Sequence, residues 1–202
     1  MRATIAVLDY GSGNLHSVSR ALDHVGARVR VVEDADGIDV EDAILIPGVG
    51  HFGHCVRAIR SRGLEPTIAA FVGSGRPVFG VCVGMQVLFE GSEEDPDGGL
   101  AILPGRSRRL PPDVKVPHIG WNDVAWRRPH PYVEGLPNGV RFYFVHSYAP
   151  DANADAIGLT EHGRAFTAVT ARDNVFGTQF HPEKSGDAGL QLYANFVKAV
   201  SS

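Results

Sequence analysis

The stretch PVFGVCVGMQVLFE, residues 77–90, decides the predicted fold. Residues 77–81 form a short apolar run that predicts a buried strand, and residues 84–90 predict the start of a helix. Between them stands Gly80-Val81-Cys82-Val83-Gly84, which has the form Gly-x-nucleophile-x-Gly. Such a nucleophile lies on a strained strand-to-helix turn, where flanking glycines remove Cβ atoms that would clash. A buried structural cysteine in a glycine-rich turn explains the five residues equally well.

Two features of this turn would promote attack by Cys82: one favours the thiolate, and the other stabilises the transition state. The N-terminus of the following helix carries partial positive charge, which favours a thiolate over a thiol. The backbone N–H of Val83 would point toward the oxygen of an attacked carbonyl group, and one such donor is worth roughly 3 kcal/mol in a transition state. The turn therefore predicts a cysteine that attacks a carbonyl carbon.

A thiolate nucleophile needs a base, and the sequence Gln179-Phe180-His181-Pro182-Glu183-Lys184 offers one. Pro182 disfavours helical backbone at His181, and in an extended chain residues i and i+2 point to the same side. Glu183 could therefore reach the imidazole, select its tautomer and stabilise the imidazolium. We predict a catalytic triad of Cys82, His181 and Glu183, whose members meet in space although they are far apart in the sequence.

The first half of the chain alternates strand-like and helix-like segments. Short apolar runs predict strands, and apolar residues at helical spacing predict helices between them. Strands are predicted at residues 5–8, 29–32, 43–46 and 77–81, with helices over residues 15–25, around 56–59 and over 65–72. Gly26 follows the first helix, where a residue with positive φ commonly ends a helix. This alternation predicts an α/β fold with a mostly parallel sheet and helices on both faces.

The second half of the chain predicts β-hairpins and a closing helix. Runs rich in β-branched and aromatic residues at 140–148, 165–171 and 175–180 are separated by turn-like segments, which is typical of hairpins added to a sheet. Leu190, Tyr193, Ala194 and Val197 recur at helical spacing and predict a helix over residues 187–200. No linker or repeat divides the sequence, so a single domain over residues 1–202 is expected.

The composition is that of a soluble globular protein. Of 202 residues, 44% are hydrophobic and 21% charged, and the net charge of −4 indicates no basic face for nucleic acid. No apolar stretch approaches the roughly 18 residues of a membrane span. Residues 1–9 lack the charged start and cleavage site of a secretory leader, and two cysteines do not resemble a disulfide framework. We expect a cytoplasmic protein that binds neither nucleic acid nor membrane.

Other groups of chemically active residues are weaker candidates. His51, His54 and Cys55 lie close together, but a structural zinc needs four ligands and no second Cys/His pair has suitable spacing. Gly11-Ser12-Gly13 departs from the dinucleotide fingerprint because His16 stands where the third glycine belongs, and no P-loop sequence occurs. We therefore expect no metal and no cofactor.

Taken together, these residues resemble the class I glutamine amidotransferases, which have a flavodoxin-like α/β fold. More closely, they resemble the glutaminase subunits of imidazole glycerol phosphate synthase, an enzyme of histidine biosynthesis. The resemblance runs through nearly the whole chain, and landmarks in the same order are more specific than any one motif. The landmarks are DYGSGNL (9–15), PGVG (47–50), GVCVGMQVLFE (80–90), VPHIGWN (116–122), YFVHSY (143–148) and GTQFHPEKS (177–185).

The resemblance implies a role for each site residue. Cys82 attacks the amide carbon of glutamine, ammonia leaves, and water hydrolyses the thioester to glutamate. His181 transfers the protons and Glu183 orients it. Val49 and Val83 are implied to form the two sides of the oxyanion hole. The residues implied to hold the amino-acid end of glutamine are Gly50, Gln86, Glu94, Ser147 and Tyr148.

The resemblance also implies a partner. The family subunit forms a heterodimer with a cyclase, a (β/α)₈ barrel that receives the ammonia. Free ammonia in neutral water would largely become ammonium and lose its nucleophilicity, so a closed interface is chemically sensible. Asn14, Trp121, Tyr143 and Lys184 match family positions near that interface. For Trp121, packing in the core is the alternative interpretation.

Two residues distinguish this sequence from related amidotransferases. Met85 and Lys184 stand where anthranilate and aminodeoxychorismate synthase subunits typically have His and Ser. Val81 and Val83 replace the usual Ile and Leu, which is a conservative change. Three alternatives stay open: an amidotransferase for another acceptor, such as anthranilate or pyridoxal phosphate synthesis, a catalytically silent binding subunit, and a cysteine protease.

Overall fold

The computed structural model describes residues 2–36 and 38–201, with only the backbone of Asp39. Met1 and Ser202, the ends of the predicted domain, lie outside the described residues. The described strands are β1 (Thr4–Leu8), β2 (Arg28–Val32), β3 (Ala43–Ile46), β4 (Val78–Val81), β5 (Phe89–Ser92), β6 (Asp95–Gly98), β7 (Leu103–Arg109), β8 (His118–Trp126), β9 (Val140–His146), β10 (Tyr148–Pro150), β11 (Ala156–His162), β12 (Arg164–Arg172) and β13 (Val175–Thr178). The described helices are α1 (Leu15–His24), α2 (Phe52–Ser61), α3 (Leu64–Ser74), α4 (Val83–Gln86) and α5 (Gly186–Val200), with 3₁₀ turns at Ile38–Val40, Pro131–Val133 and Pro182–Lys184. Among these helices, none has the length and apolar character needed to cross a membrane.

Nine of the described strands form the main sheet, in the order β2-β1-β3-β4-β13-β12-β11-β8-β9. Neighbours from β2 to β13 are parallel, whereas neighbours from β13 to β9 are antiparallel. The central strands β1, β3, β4 and β13 are buried along nearly their whole length, which explains their continuous apolar runs. The predicted parallel sheet with added hairpins is confirmed.

Helices cover both faces of the parallel part. The chain passes from β1 through α1 to β2 on one side of β1, and from β3 through α2 and α3 to β4 on the other side. Because crossovers between parallel strands are right-handed, these opposite directions place α1 on one face and α2 with α3 on the other. The closing helix α5 packs against α1.

The helix predicted over residues 84–90 is wrong in its length. Helix α4 ends at Gln86, and the chain then enters β5. The carbonyls of Val87, Leu88 and Phe89 accept hydrogen bonds from the N–H groups of residues 100–103, so they cannot continue a helix. This return of the chain begins a second sheet, in the order β10-β7-β5-β6, which the sequence pattern did not predict.

The sheet brings three of the sequence landmarks to one edge. Strands β3, β4 and β13 are adjacent and parallel, so their carboxyl ends lie side by side. Segment 47–50 follows β3, Cys82 follows β4, and His181 comes shortly after β13. In open α/β sheets, ligands bind outside the carboxyl ends of the strands where the strand order reverses, as it does here near β1 and β3.

Candidate active site

Cys82 lies on the turn between β4 and α4 in a rare backbone conformation. Its φ is 55° and its ψ is −115°, a combination that L residues adopt mainly where surrounding structure enforces it. A Cβ on Gly80 would lie 2.5 Å from the carbonyl oxygen of Gly84, and a Cβ on Gly84 would lie 1.9 Å from that of Ile46. Both positions therefore require glycine, for the steric reason that the sequence pattern predicts.

Segment 47–50 packs directly on this turn. A Cβ on Gly48 would lie 2.3 Å from the backbone nitrogen of Gly84, so only glycine permits the approach. The carbonyl oxygen of Val49 accepts a hydrogen bond of 2.5 Å from the hydroxyl of Ser12. These contacts hold the segment beside Cys82.

His181 and Glu183 join the site from the chain after β13. Nδ1 of His181 lies 2.9 Å from Oε1 of Glu183, and both side chains are buried. The contact occurs as predicted, but the extended backbone predicted for it is wrong beyond His181, because Pro182–Lys184 form a 3₁₀ turn. Proline is accepted there since its fixed φ suits the first position of a helical turn. The carboxylate thus accepts a hydrogen bond from the Nδ1–H group, and Nε2 is left for other chemistry.

The pKa of His181 is raised to about 10. Burial by itself lowers this pKa, but the interactions of the ring with Cys82 and Glu183 favour the charged imidazolium and outweigh burial. Within the described residues, Nε2 makes no hydrogen bond of ordinary geometry, although Cys82 is close enough to act on it. Catalytic hydrogen bonds are often long before substrate binds. The arrangement favours a protonated His181 beside Cys82.

Cys82 and His181 open into a cavity of about 270 Å³. This volume lies just below the usual range for ligand sites, about 300–1,000 Å³, so the cavity suits a molecule of amino-acid size. The cavity is also lined by Val49, Gly50, Val83, Gln86, Glu94, Pro117, Val145, His146, Ser147 and Tyr148. All of the residues predicted for the oxyanion hole and for glutamine binding are therefore brought together. A larger concavity of about 670 Å³, between residues 126 and 136, contains no cysteine.

Gln86 and Gln179 form a buried amide pair beside the nucleophile. Nε2 of Gln86 donates to Oε1 of Gln179 and to the carbonyl oxygen of Tyr148, each at 2.9 Å. Nε2 of Gln179 lies 3.6 Å from Sγ of Cys82. Sequence reasoning missed Gln179 as a site residue. Its position two residues before His181 was the available signal, because alternate residues of an extended chain share one side.

Glu94 caps helix α2 at the rim of the cavity. Its Oε2 accepts a hydrogen bond of 2.8 Å from the backbone N–H of Phe52, the first residue of the helix. The positive end of the helix dipole stabilises a carboxylate at this place. Glu94 therefore brings a fixed negative charge to the wall of the cavity.

Sequence comparison assigns the chain to a family. The family model described as glutamine amidotransferase class-I matches residues 6–200. The chain is 45% identical to the imidazole glycerol phosphate synthase subunit HisH of Microcystis aeruginosa, over 97% of this chain and 95% of that protein. It is 47% identical to the subunit of the same name from Halobacterium salinarum, over 96% and 93%. The chain belongs to the class-I glutamine amidotransferase family, among its HisH subunits. The predicted family and enzyme class are confirmed.

Solved structures share the fold of this amidotransferase. A chain of PurLQS from Thermotoga maritima has a TM-score of 0.79 at 20% identity, covering 98% of this chain and 99% of that chain. The glutaminase domain of CTPS from Trypanosoma brucei, with bound acivicin, has a TM-score of 0.65 at 18% identity, covering 98% and 94%. Likeness at these identities concerns the fold alone.

The residues predicted for the partner interface of the amidotransferase lie near one face. Trp121 on β8 is 48% exposed, and its ring centroid lies 6.3 Å from that of Tyr143. Nζ of Lys184 lies 5.9 Å from the Tyr143 ring. Asn14 stands at the N-cap of α1, which packs against the 3₁₀ turn that contains Lys184. Core packing, the alternative interpretation of Trp121, is wrong because half of the side chain is exposed.

The second cysteine lies outside the triad. Cys55 is buried on α2, with its Sγ 3.4 Å from the hydroxyl of Ser12, and burial raises the pKa of its thiol. His51 lies beside Asp95, with 3.6 Å between ring nitrogen and carboxylate oxygen. In the part of the chain that the structure describes, no three His, Cys, Asp or Glu side chains gather as a metal site would require.

Proposed function

We propose that this chain is the glutaminase subunit of imidazole glycerol phosphate synthase and that Cys82, His181 and Glu183 are its catalytic triad. The observation that carries the residue assignment is the orientation of His181. Glu183 holds Nδ1 at 2.9 Å, and the other edge of the ring shares a cavity with Cys82. The HisH relatives support the pathway, which is histidine biosynthesis.

In the first half-reaction, the Cys82 thiolate attacks the amide carbon of glutamine. A carbon–sulfur bond forms, and His181 gives its Nε2 proton to the amide nitrogen, which leaves as ammonia when the carbon–nitrogen bond breaks. The neutral His181 then removes a proton from water, which attacks the thioester and releases glutamate and the thiolate. Glu183 keeps Nδ1 protonated, so Nε2 performs both transfers.

Backbone N–H groups of Val83 and Val49 would stabilise the oxyanion. Val83 begins α4, and the first N–H groups of a helix have no partner within the helix. Val49 belongs to the segment that contacts the same turn, with its carbonyl held by Ser12. Each donor of this kind is worth roughly 3 kcal/mol in the transition state.

The amino-acid end of glutamine would lie on the Glu94 side of the cavity. Its ammonium group would pair with the Glu94 carboxylate, and Gly50, Ser147 and Tyr148 would line the remaining wall. Both Nε2 hydrogens of Gln86 already bind protein oxygens. Gln86 would therefore contact the substrate only through its Oε1 atom, as an acceptor.

The acceptor of the ammonia would be the (β/α)₈-barrel cyclase, joined to this chain in a heterodimer that makes imidazole glycerol phosphate and AICAR. The contact would include Trp121, Tyr143, Lys184 and Asn14. Aromatic side chains are enriched at protein interfaces, and Trp121 is exposed in the isolated chain. Direct passage would protect the ammonia from protonation in bulk water.

We also propose a single domain over residues 1–202 and a cytoplasmic location. The family match over residues 6–200 supports one domain. Cys55 and Cys82 are both unpaired thiols, in keeping with a reducing compartment.

The first test measures glutamate release from glutamine with and without the cyclase and its nucleotide substrate. We expect weak release by the chain alone and strong stimulation by this partner. Glutamate release that the cyclase does not stimulate would indicate that this glutaminase is the subunit of a different synthase. Absence of release in both conditions would favour a silent binding subunit, and cleavage of casein would favour a protease.

The matched variant is Cys82→Ala. We expect it to abolish glutamine-dependent synthesis by the complex, because no other group can form the thioester. Synthesis from added ammonium salt should stay within about twofold of wild type, since the cyclase does not use Cys82. Loss of both activities would contradict Cys82 as a dedicated nucleophile for ammonia release.

A further inference from the structure

A buried chain of hydrogen bonds runs from β8 to the cavity. Nδ2 of Asn122 lies 3.2 Å from Nε2 of His118, and Nδ1 of His118 lies 3.1 Å from Nε2 of His146. Nδ1 of His146 lies 2.9 Å from the carbonyl oxygen of Tyr148. Both histidines are nearly inaccessible, with 5% and 7% of their surfaces exposed. The reaction steps above use neither of them.

Groups at both ends of this chain determine where each proton lies. Oδ1 of Asn122 accepts from the backbone N–H of Asp123 at 2.8 Å, so the atom that faces His118 is the amide nitrogen. That nitrogen also donates to the carbonyl oxygen of Glu161 at 3.0 Å. At the other end a carbonyl oxygen can only accept, so Nδ1 of His146 carries a hydrogen. Both neutral histidines must therefore be protonated on Nδ1 and accept on Nε2.

The surroundings keep both rings neutral. Burial, together with the charge of His162, lowers the pKa of His118 to about 4. Burial, and the repulsion that a protonated His146 would meet from protonated His118, His162 and His181, lower the pKa of His146 to about 3, and the bond to the Tyr148 carbonyl opposes this only in part. A protonated His146 would turn a second N–H toward the N–H of His118. This series of hydrogen bonds from Asn122 to the Tyr148 carbonyl is therefore intact at neutral pH.

The Tyr148 carbonyl connects this series of hydrogen bonds to the nucleophile Cys82. It accepts from His146 and from Gln86, and Gln86 also donates to Gln179, which reaches Sγ of Cys82. The carbonyl is thus shared by two hydrogen-bond paths, one from β8 and one from Cys82. A shift of this carbonyl would move the amide pair beside the reacting sulfur.

We propose that His118 is a positioning residue for glutamine hydrolysis. Through His146 it fixes the Tyr148 carbonyl, and through that carbonyl it fixes the amides of Gln86 and Gln179 beside Cys82. His118 itself touches neither substrate nor the reacting atoms. The inference rests on the proposed glutaminase function and adds a residue to it.

Three substitutions of His118 separate positioning from packing. Asparagine places an amide nitrogen near the position of Nδ1, glutamine reaches the position of Nε2, and phenylalanine keeps an aromatic ring with no donor. In the complex with the cyclase, His118→Phe and His118→Gln should lower kcat/KM for glutamine at least tenfold. His118→Asn should stay within about threefold of wild type, and all three should keep ammonia-dependent synthesis. Wild-type kcat/KM in His118→Phe, or equal losses in all three variants, would overturn the proposal.

A second measurement needs no turnover. In protein labelled with ¹⁵N-histidine, long-range ¹H–¹⁵N spectra of wild type should show both His118 and His146 as Nδ1–H tautomers. An Nε2–H tautomer at either ring is incompatible with the series of hydrogen bonds and would overturn the proposal. A wild-type complex that releases no glutamate would instead contradict the proposed function, so the two failures are distinguishable.

Discussion

Gly84 shows how one missing side chain determines the geometry of the site. A Cβ at this position would lie 1.9 Å from the carbonyl oxygen of Ile46, far inside van der Waals contact. That oxygen belongs to the backbone of a central strand, which cannot move without displacing segment 47–50. The strained backbone of Cys82 is thus maintained by the close approach of two strand ends, and not by the turn alone.

At this scale we predict opposite effects of two Gly→Ala substitutions. Gly84→Ala should lower the free energy of unfolding by about 3 kcal/mol or more, because the added methyl overlaps backbone atoms. Gly73→Ala, on the exposed side of α3 with open space around it, should raise that free energy by about 0.4–1 kcal/mol. Urea unfolding of both variants measures this. A Gly84→Ala variant as stable as wild type would contradict the tight contact.

At the scale of elements, the start of α2 combines two functions. The helix packs on the face of the sheet that also carries α3, and its first N–H group binds Glu94 at the cavity wall. The helix dipole and this hydrogen bond hold the carboxylate in one orientation. A short acidic segment of the second sheet thereby becomes part of the site, although adjacent Glu93 is exposed.

The corresponding prediction compares the neighbouring glutamates. Glu94→Gln should raise KM for glutamine about tenfold, equivalent to about 1.4 kcal/mol, because the charge that would pair with the substrate ammonium is lost. Glu93→Gln removes the same charge from an exposed position and should leave KM within about twofold. Steady-state kinetics of the complex measure both KM values. Equal increases in KM for both variants would show that Glu94 does not pair specifically with the substrate ammonium.

At the scale of the whole molecule, the surface formed by Trp121, Tyr143 and Lys184 is connected to the triad by a single hydrogen bond. The backbone N–H of His181 donates to the carbonyl oxygen of Tyr143 at 3.0 Å, and Trp121 packs against the ring of Tyr143. Strands β8 and β9 end the main sheet on this side, whereas β2 ends it on the other. The proposed partner would therefore cover the edge nearest the reacting groups.

This arrangement predicts that Trp121→Ala weakens binding of the cyclase by about 2 kcal/mol, roughly 30-fold in Kd, because tryptophan is enriched among interface hot spots. Val31→Ala is the matched control, since Val31 is 47% exposed on the opposite edge strand against 48% for Trp121. Calorimetric titration measures both affinities. An unchanged Kd for Trp121→Ala would place the partner elsewhere.

The buried histidines also predict how stability depends on pH. Folding lowers the pKa of His118 to about 4, whereas an unfolded histidine titrates near 6.5. As pH falls below about 6.5 the unfolded chain takes up this proton first, so the free energy of unfolding decreases until the pH reaches about 4. His118→Asn should make the slope between pH 6 and 5 shallower by up to about 1.4 kcal/mol per pH unit. Urea unfolding at each pH tests this, and identical slopes would contradict a neutral His118 in the folded protein.

Patterns within short stretches of sequence were enough to predict much of this protein. The strands and helices of the first half follow from local apolar periodicity, and the glycine-flanked turn at Cys82 follows from the sterics of five residues. His181 and Glu183 are two positions apart, so their contact depends on little beyond the local chain. More than one local backbone permits this contact, and the backbone between the two residues, a 3₁₀ turn, was the part predicted wrongly.

Tertiary structure alone decided which distant groups meet. Helix α4 is short because residues 100–103 pair with the chain that would extend it, and the second sheet exists only through that pairing. Glu94 reaches the cavity because α2 offers it an N–H group, and His118 meets His146 from 28 residues away because β8 and β9 are neighbours. Local periodicity specifies which face of an element is buried, but it carries no information about which element will cover that face.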